Sequence, residues 1–308
     1  MHKSEFITVI IRAYNRKDFL IKAVDSALNQ TLEASDYEVI VVKNWKDEII
    51  DNYLSSKSIK VIFKDGIAGS LIVEGLKASA GNVICFLDDD DQFMNMKLET
   101  VYRKFYENKE LTYYHNGISA IKEDGSPANF KHDSIDFGMS NISIKKLALN
   151  ENIIEKISFF QDPIVFSLAL NYGGKLIDDK TPLTFYLLHS STSNFENMSF
   201  EEYKMKSYKA YQNYLKNAEM VLSLLEKRKA RRYMAAMICD LKMGRFQFNP
   251  EIRPDHVFTF ITCKYIPLSR RWIQFKSYIA LKYFPRRFRP VILRKREHQF
   301  NLDKNKNN

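Results

Sequence analysis

Four short runs of β-branched and apolar residues, separated by stretches of helical spacing, fill about the first ninety positions and constrain the fold more than anything else. Phe6–Ile11, Tyr37–Val42, Ile59–Phe63 and Val83–Leu87 read as strands. Between them, Asp18–Leu28 sets Phe19, Leu20, Ala23, Val24, Ala27 and Leu28 at helical spacing, and Asp47–Leu54 predicts a short helix. Gly66–Ala80 predicts a turn plus helix with Gly81 as its C-cap. Strands alternating with helices argue for an α/β, Rossmann-like architecture, a mostly parallel sheet with helices on both faces.

The last of these strands runs into Asp88, Asp89, Asp90 and Asp91. Four adjoining carboxylates repel one another unless something positive sits among them. A hard divalent cation that also carries a substrate's phosphates would serve, and the ends of strands in an open α/β sheet are where ligands bind. The plainer alternative is a solvated acidic loop.

The string Thr8-Val9-Ile10-Ile11-Arg12-Ala13-Tyr14-Asn15-Arg16, followed by Ala27-Leu28-Asn29-Gln30-Thr31, resembles the opening of family 2 glycosyltransferases of the A-type fold (GT-A). Glu38-Val39-Ile40-Val41-Val42 is similar to the family's second strand, and Ala80–Asp90 to its strand ending in Asp-(x)-Asp. The match is strong over residues 1–95 and weaker to about residue 195. It implies a catalytic domain over 1–198, with a nucleotide-sugar half at 1–95 and an acceptor half at 96–198 in which 116–146 carries acceptor contacts. By similarity Asp90 coordinates Mn2+ or Mg2+, Asp88 faces the donor's ribose or sugar, and Asp89 completes the triplet. Asp91 caps the following segment and is left out of the ligand set. Arg12, Ala13, Tyr14, Asn15 and Asn44 line the nucleotide pocket in this reading.

The acceptor's proton needs a base. Phe159-Phe160-Gln161-Asp162, ahead of a helix begun by Pro163 and Ile164–Leu170, resembles the family's Glu-Asp element, which makes Asp162 the candidate. On position alone, an Asp at a helix start is more often an N-cap. Further on, Lys175–Leu188 leads through Pro182-Leu183 to His189, then Ser190, Ser191, Thr192 and Ser193. His189 is either a structural ring or a neutral imidazole near metal or diphosphate.

The departures from the family pattern matter as much. Lys43-Asn44-Trp45-Lys46 stands where the family has Asp-Asp-Gly-Ser, so an amide replaces the base-reading carboxylate, and Trp45 either stacks on a base or packs on the sheet edge. Ile72-Val73 replaces an Arg-Asn pair, and Arg12 replaces a proline, as a charge toward the diphosphate or as a surface residue. UDP is favoured by family habit and GDP stays open. Lys43-Asn44-Trp45 and Gln161, which stands where an acid is commoner, feed the alternative of a non-catalytic GT-A-fold scaffold or binding protein. A nucleotidyltransferase would want a glycine-rich phosphate loop, and Arg12–Phe19 holds no glycine.

Charge divides the 308-residue chain. Residues 1–200 carry 22 basic against 28 acidic side chains, and 201–308 carry 25 against 9. The second part, 199–308, reads as helical: Phe200–Lys229, Arg231–Met243 ending at Gly244, Val257–Tyr265 and Leu268–Phe284, then a polar tail expected to be disordered over 303–308. Arg and Lys interleaved with Trp272, Phe275, Tyr278 and Phe288 across 264–296 suggest a helix lying in an anionic membrane interface, and equally a homodimer surface. No nucleic-acid motif accompanies them, and the acidic first part argues against such a partner. The three cysteines, Cys85, Cys239 and Cys263, have no metal-ligand spacing and suit a reducing compartment. The start has no apolar leader and no run reaches spanning length. The expectation is a cytoplasmic-face, peripheral-membrane enzyme moving a sugar, with inversion, onto a lipid-linked or saccharide acceptor.

Overall fold

The computed structural model describes residues 5–57, 59–130, 132, 134–158, 161–189, 198–244 and 252–305. The chain divides into two compact units, Met1–Leu188 and His189–Asn308. The first is built on one eight-stranded sheet. Its strands are β1 (Ile7–Ala13), β2 (Tyr37–Lys43), β3 (Lys60–Phe63), β4 (Val83–Asp88), β5 (Gln92–Phe93), β6 (Leu111–Lys122), β7 (Ile142–Lys145) and β8 (Lys175–Leu188). They lie in the order β3-β2-β1-β4-β7-β6-β8-β5. β3, β2, β1 and β4 run parallel, β7 is antiparallel to both of its neighbours, and β6 and β8 pair in parallel.

The chain moves outward from β1 to β3 and then returns to place β4 on the other side of β1. Strand order reverses there, and at such a switch point the connecting loops part and leave a crevice at the carboxyl ends. The period-2 alternation assigns the two faces of β1. Ile7, Val9, Ile11 and Ala13 enter a core shared with helix α1 (Leu20–Leu28) and helix α4 (Lys97–Glu107). Ile10 faces helix α3 (Ala68–Ala78) across Gly75. Helix α2 (Glu48–Ser56) is capped by Asp47, whose side chain accepts from the Ile50 amide at 3.1 Å. α5 (Glu151–Ile154) and α6 (Gln161–Tyr172) complete this unit.

Gly81 is not the C-cap expected of it. α3 stops at Ala78 with Ser79 extended at the cap, and Gly81 instead lets the chain pass against β1. Its amide donates to Thr8 Oγ1 at 2.9 Å, and a Cβ there would sit 2.5 Å from the Thr8 amide nitrogen. Gly69 makes a second close approach. Its amide donates to Ile157 O at 2.9 Å, and a Cβ would strike the carbonyl oxygens of Ile154 and Ile157. Alanine normally gains about 1 kcal/mol over glycine inside a helix, whereas overpacking against fixed backbone costs about 1–3 kcal/mol. Gly69→Ala should therefore destabilise by up to about 2 kcal/mol net, read as a lowered urea midpoint with an unchanged slope. A midpoint at or above wild type would show that the α3–α5 contact yields easily.

The second unit is helical among its described residues: α7 (Phe200–Leu224), α8 (Arg228–Gly244), α9 (Pro254–Ile261), α10 (Leu268–Tyr283) and α11 (Pro285–Asn305). Ser199 and Glu202 close a capping box at the start of α7. The first helix ends five residues before the expected Lys229, because Arg231 Nη1 reaches back to the carbonyls of Leu222 at 3.1 Å and Leu225 at 2.8 Å. α11 carries regular structure through Asn305, into the tail expected to be disordered from Asp303. Residues 306–308 and Ser190–Ser193 lie outside the described residues. No described helix is long and apolar enough to cross a membrane.

Candidate active site

The register of β1 and β4 places Arg12 beside Asp88 at the switch point. Arg12 Nη2 meets Asp88 Oδ1 at 2.6 Å, so Arg12 points into the acidic strand end and is not a surface residue. Arg16 reaches the next two carboxylates, pairing with Asp89 and, at 2.7 Å, with Asp90. Ala13 ends β1 buried and Tyr14 follows it half-buried. Asn15 turns the chain with φ of 57°, a left-handed conformation that Asn tolerates better than most residues. Its amide N–H donates to Asn44 Oδ1 at 2.9 Å, and Asn44 Nδ2 donates to Asn15 Oδ1 at 2.6 Å. Asn44, expected to face a base, thus uses both ends of its amide to hold the turn that carries Arg16. Trp45 packs on the core at the sheet edge, with the buried Lys43 ammonium 4.5 Å from its ring centre.

Burial dominates the titration of these carboxylates. It pushes Asp89 up to about 7 despite the opposing Arg16, and raises Asp88 against Arg12. Asp91 is likewise held well above the usual carboxylate range, first by burial and then by Asp90 and Asp88. Asp91 caps no helix. Its Oδ2 accepts from Ser140 Oγ at 2.6 Å and its Oδ1 from the Leu187 amide at 3.2 Å, which ties the end of β4 to β8.

Asp162 lies in the first turn of α6, and its Oδ2 accepts from the Gly138 amide at 3.0 Å. Burial and then the field of Asp88 raise its carboxyl to about 7, with Arg12 and the Gly138 N–H pulling the other way. The structure therefore brings Asp162, Arg12 and Asp88 into one electrostatic neighbourhood. Phe159 and Phe160, just before it, lie outside the described residues. His189 is buried and begins the second unit.

Several site residues carried no local signal. Arg16 sat in plain view, yet its reach to Asp89 and Asp90 depends on the Asn15 turn. Tyr186 on β8 stacks with Phe130 at 5.2 Å and tilts against Phe137 at 5.5 Å, and Phe137 stacks on His132 at 3.8 Å. Burial and the fields of Asp91, Asp90, Asp88 and Asp162 raise the Tyr186 phenol to about 12.

Lys97 is wholly buried at the start of α4, donates to Asn116 Oδ1, and lies 5.2 Å from the Phe93 ring centre. Asn116 Nδ2 continues to Thr184 Oγ1 at 3.1 Å, which donates to Ser140 O at 3.1 Å, while Ser140 Oγ accepts from the Asp88 amide at 3.0 Å. A polar chain thus runs from Lys97 to the acidic strand end. Burial lowers Lys97 to about 8. A lysine depressed in the fold opposes stability increasingly as pH falls from its unfolded value through the folded one. Removing the charge in Lys97→Met should therefore help more at pH 7 than at pH 9.5, by about 2 kcal/mol. Urea unfolding of both proteins at both pH values measures this, and a pH-independent difference would refute it.

Mn2+ or Mg2+ would find only oxygen donors among Asp88, Asp89 and Asp90, which suits either ion. Asp89 Oδ2 is buried without a hydrogen-bond partner. No group of three or more His, Cys, Asp or Glu among the described residues is placed to hold a metal by itself. The residues therefore fit an ion held by one or two carboxylates and completed by substrate phosphates, the usual habit of Mg2+.

Comparison with known proteins agrees with this fold. A Staphylococcus aureus (strain N315) protein, poly(ribitol-phosphate) beta-N-acetylglucosaminyltransferase TarP, is 25% identical over 214 residues, covering 63% of this chain and 65% of TarP. The Escherichia coli UDP-Glc:alpha-D-GlcNAc-diphosphoundecaprenol beta-1,3-glucosyltransferase WfaP is 28% identical over 222 residues, 66% of this chain and 86% of WfaP. An uncharacterized glycosyltransferase of Rickettsia bellii is 36% identical over 125 residues, 39% of this chain, and the match spans only 18% of that protein. The crystal structure of S. aureus TarS 1-349 in complex with UDP-GlcNAc superposes with a TM-score of 0.58 at 11% identity, covering 90% of this chain and 91% of that one, and shows the shared A-type fold. The family model of Glycosyl transferase family 2 matches residues 8–159, and the chain belongs to that family.

Proposed function

We propose that the protein is an inverting, metal-dependent glycosyltransferase using a nucleoside-diphosphate sugar, with UDP favoured. One observation carries the reading: Asp162, poised near neutrality, stands in the field of the Arg12–Asp88 pair at the sheet's switch point. A carboxylate with that affinity for protons can take one from an acceptor hydroxyl near pH 7. Arg12 and Arg16 supply guanidinium groups for a diphosphate. Asp90 and Asp88 would hold the cation, which when bound offsets charge on the leaving diphosphate.

In the single displacement, Asp162 accepts the acceptor's proton as the acceptor oxygen bonds to the anomeric carbon. The bond from that carbon to the diphosphate oxygen breaks, and the nucleoside diphosphate leaves with the electron pair. The products are the glycoside with inverted configuration, the nucleoside diphosphate and one proton. Calorimetric titration of UDP and GDP, with and without Mn2+, tests the donor half. Binding of UDP that needs Mn2+ and exceeds GDP at least tenfold is expected, and a folded protein that binds neither would return the chain to the scaffold reading.

A lipid-linked acceptor, like that named for WfaP, and a cytoplasmic membrane face belong to the same proposal. Within the second unit, Trp272, Ile273, Tyr283 and Phe284 are exposed on a strongly basic segment. Apolar rings beside cations suit a headgroup boundary. Sedimentation with vesicles containing phosphatidylglycerol, weakened in Trp272→Ser/Ile273→Ser, is the expected result. A stable dimer that ignores vesicles would assign this surface to self-association.

A further inference from the structure

We propose that Phe137 and Tyr186, with His132 and Phe130 stacked on them, form a platform for the face of a pyranose ring, the terminal residue of the acceptor. The inference rests on the transferase reading for the ring's fate, but the platform itself stands on geometry.

The four rings form one continuous group, joined by the stacked and tilted contacts at 5.2, 5.5 and 3.8 Å. Each is half-buried. The buried pair Tyr113 and Phe166 differs: these rings meet edge to face at 5.1 Å and are fully covered. The platform is also held still. His115 bridges the Phe137 carbonyl at 2.9 Å and Asp178 at 3.0 Å, Tyr113 Oη donates to Ile135 O at 2.7 Å, and the Phe137 amide donates to Ser134 O at 3.1 Å. Rings fixed by backbone and side-chain bonds lose little freedom when a ligand settles on them.

Position assigns the occupant. Gly138, which donates to the candidate base, directly follows Phe137, and Tyr186 feels the fields of Asp88, Asp90, Asp91 and Asp162. A ring lying on this platform would present a hydroxyl toward Asp162. The axial C–H groups of a pyranose make a rigid apolar face that matches an aromatic plane, while its hydroxyls can donate to carboxylates at the rim. An acyclic polyol phosphate offers no such rigid apolar face. The chemistry thus favours a cyclic acceptor sugar over a polyol-phosphate chain.

The test uses the full chain with 13C-labelled phenylalanine and tyrosine rings. Methyl β-glucopyranoside, methyl N-acetyl-β-glucosaminide and ribitol 5-phosphate are titrated in turn with UDP and Mn2+ present, and UDP binding is followed calorimetrically in the same samples. Both pyranosides should shift the Phe137 and Tyr186 ring signals, and ribitol phosphate should not. Phe137→Leu and Tyr186→Leu should weaken pyranoside binding at least tenfold, while Tyr186→Phe, which keeps the ring, stays within about threefold. No ring response, an equal response to ribitol phosphate, or undiminished binding by Phe137→Leu would overturn the platform. UDP heat without a pyranoside response removes the platform and leaves the donor site. A pyranoside response without UDP heat keeps the platform and removes the transferase reading.

Discussion

Asp162→Asn should lower turnover by about a thousandfold, within the range that general-base catalysis contributes, and leave the protein more stable at pH 8 than wild type. The two effects come from the same burial. An acid whose folded pKa is raised from 3.8 to about 7 binds its proton more tightly in the fold than in the unfolded chain. The native state is therefore favoured at low pH, and that advantage is lost as pH rises from about 4 to about 7. Asparagine keeps the oxygen that accepts from Gly138 and never ionises, so it avoids the loss. Turnover assays with urea unfolding at pH 5 and pH 8 read both quantities. A variant that was inactive but also less stable at pH 8 would make Asp162 a structural cap. In the metal-free protein, the Asp162 carboxyl carbon should titrate near pH 7 by NMR, and Asp88→Asn should move it down, since Asp88 raises it and Arg12 would be released to lower it further.

Asp90→Asn should weaken Mn2+-dependent UDP binding by at least a hundredfold. Because no described cluster could cage an ion alone, each carboxylate in contact with it matters more than in a fully protein-ligated site. Asp90 is partly open to solvent, and its partner Arg16 remains paired with Asp89 when Asp90 is neutralised, so the acidic strand end should keep its shape. Calorimetry at matched free Mn2+ measures the change. Undiminished binding would place the ion elsewhere or make Arg12 and Arg16 sufficient for the diphosphate.

The parts of this architecture that are legible in the chain are those set by local pattern. β1, β2 and β4 announce themselves through β-branched runs buried on both faces, and the helices between them through spacing, so the switch point and the acidic strand end could be placed together. Gly81 was misjudged and the Asn15–Asn44 pairing went unforeseen, because both arise from contacts distant in sequence. Asn44 answers Asn15 across the mouth of the sheet, and Gly81 yields to a neighbouring strand. Lys97 gave no warning either. A lysine at a helix start usually faces water, and only its burial beside Asn116 reveals the polar chain. Phe137 and Tyr186 meet across nearly fifty residues, a pairing that the parallel register of β6 and β8 and the 134–138 turn create.

The Asp91 tie has a bearing on how such a protein can be altered. One carboxylate clasps Ser140 and the Leu187 amide, immediately after the residue that forms part of the aromatic platform. The strand end that would grip the donor and the strand that would seat the acceptor are therefore stitched together by a buried carboxylate, beside the Ser140–Thr184 link. Exchanging either half with a relative to graft a new specificity would cut that stitch unless Asp91, Ser140 and the β8 register travel together. On the proposed reading, donor choice and acceptor choice would be inherited as a pair.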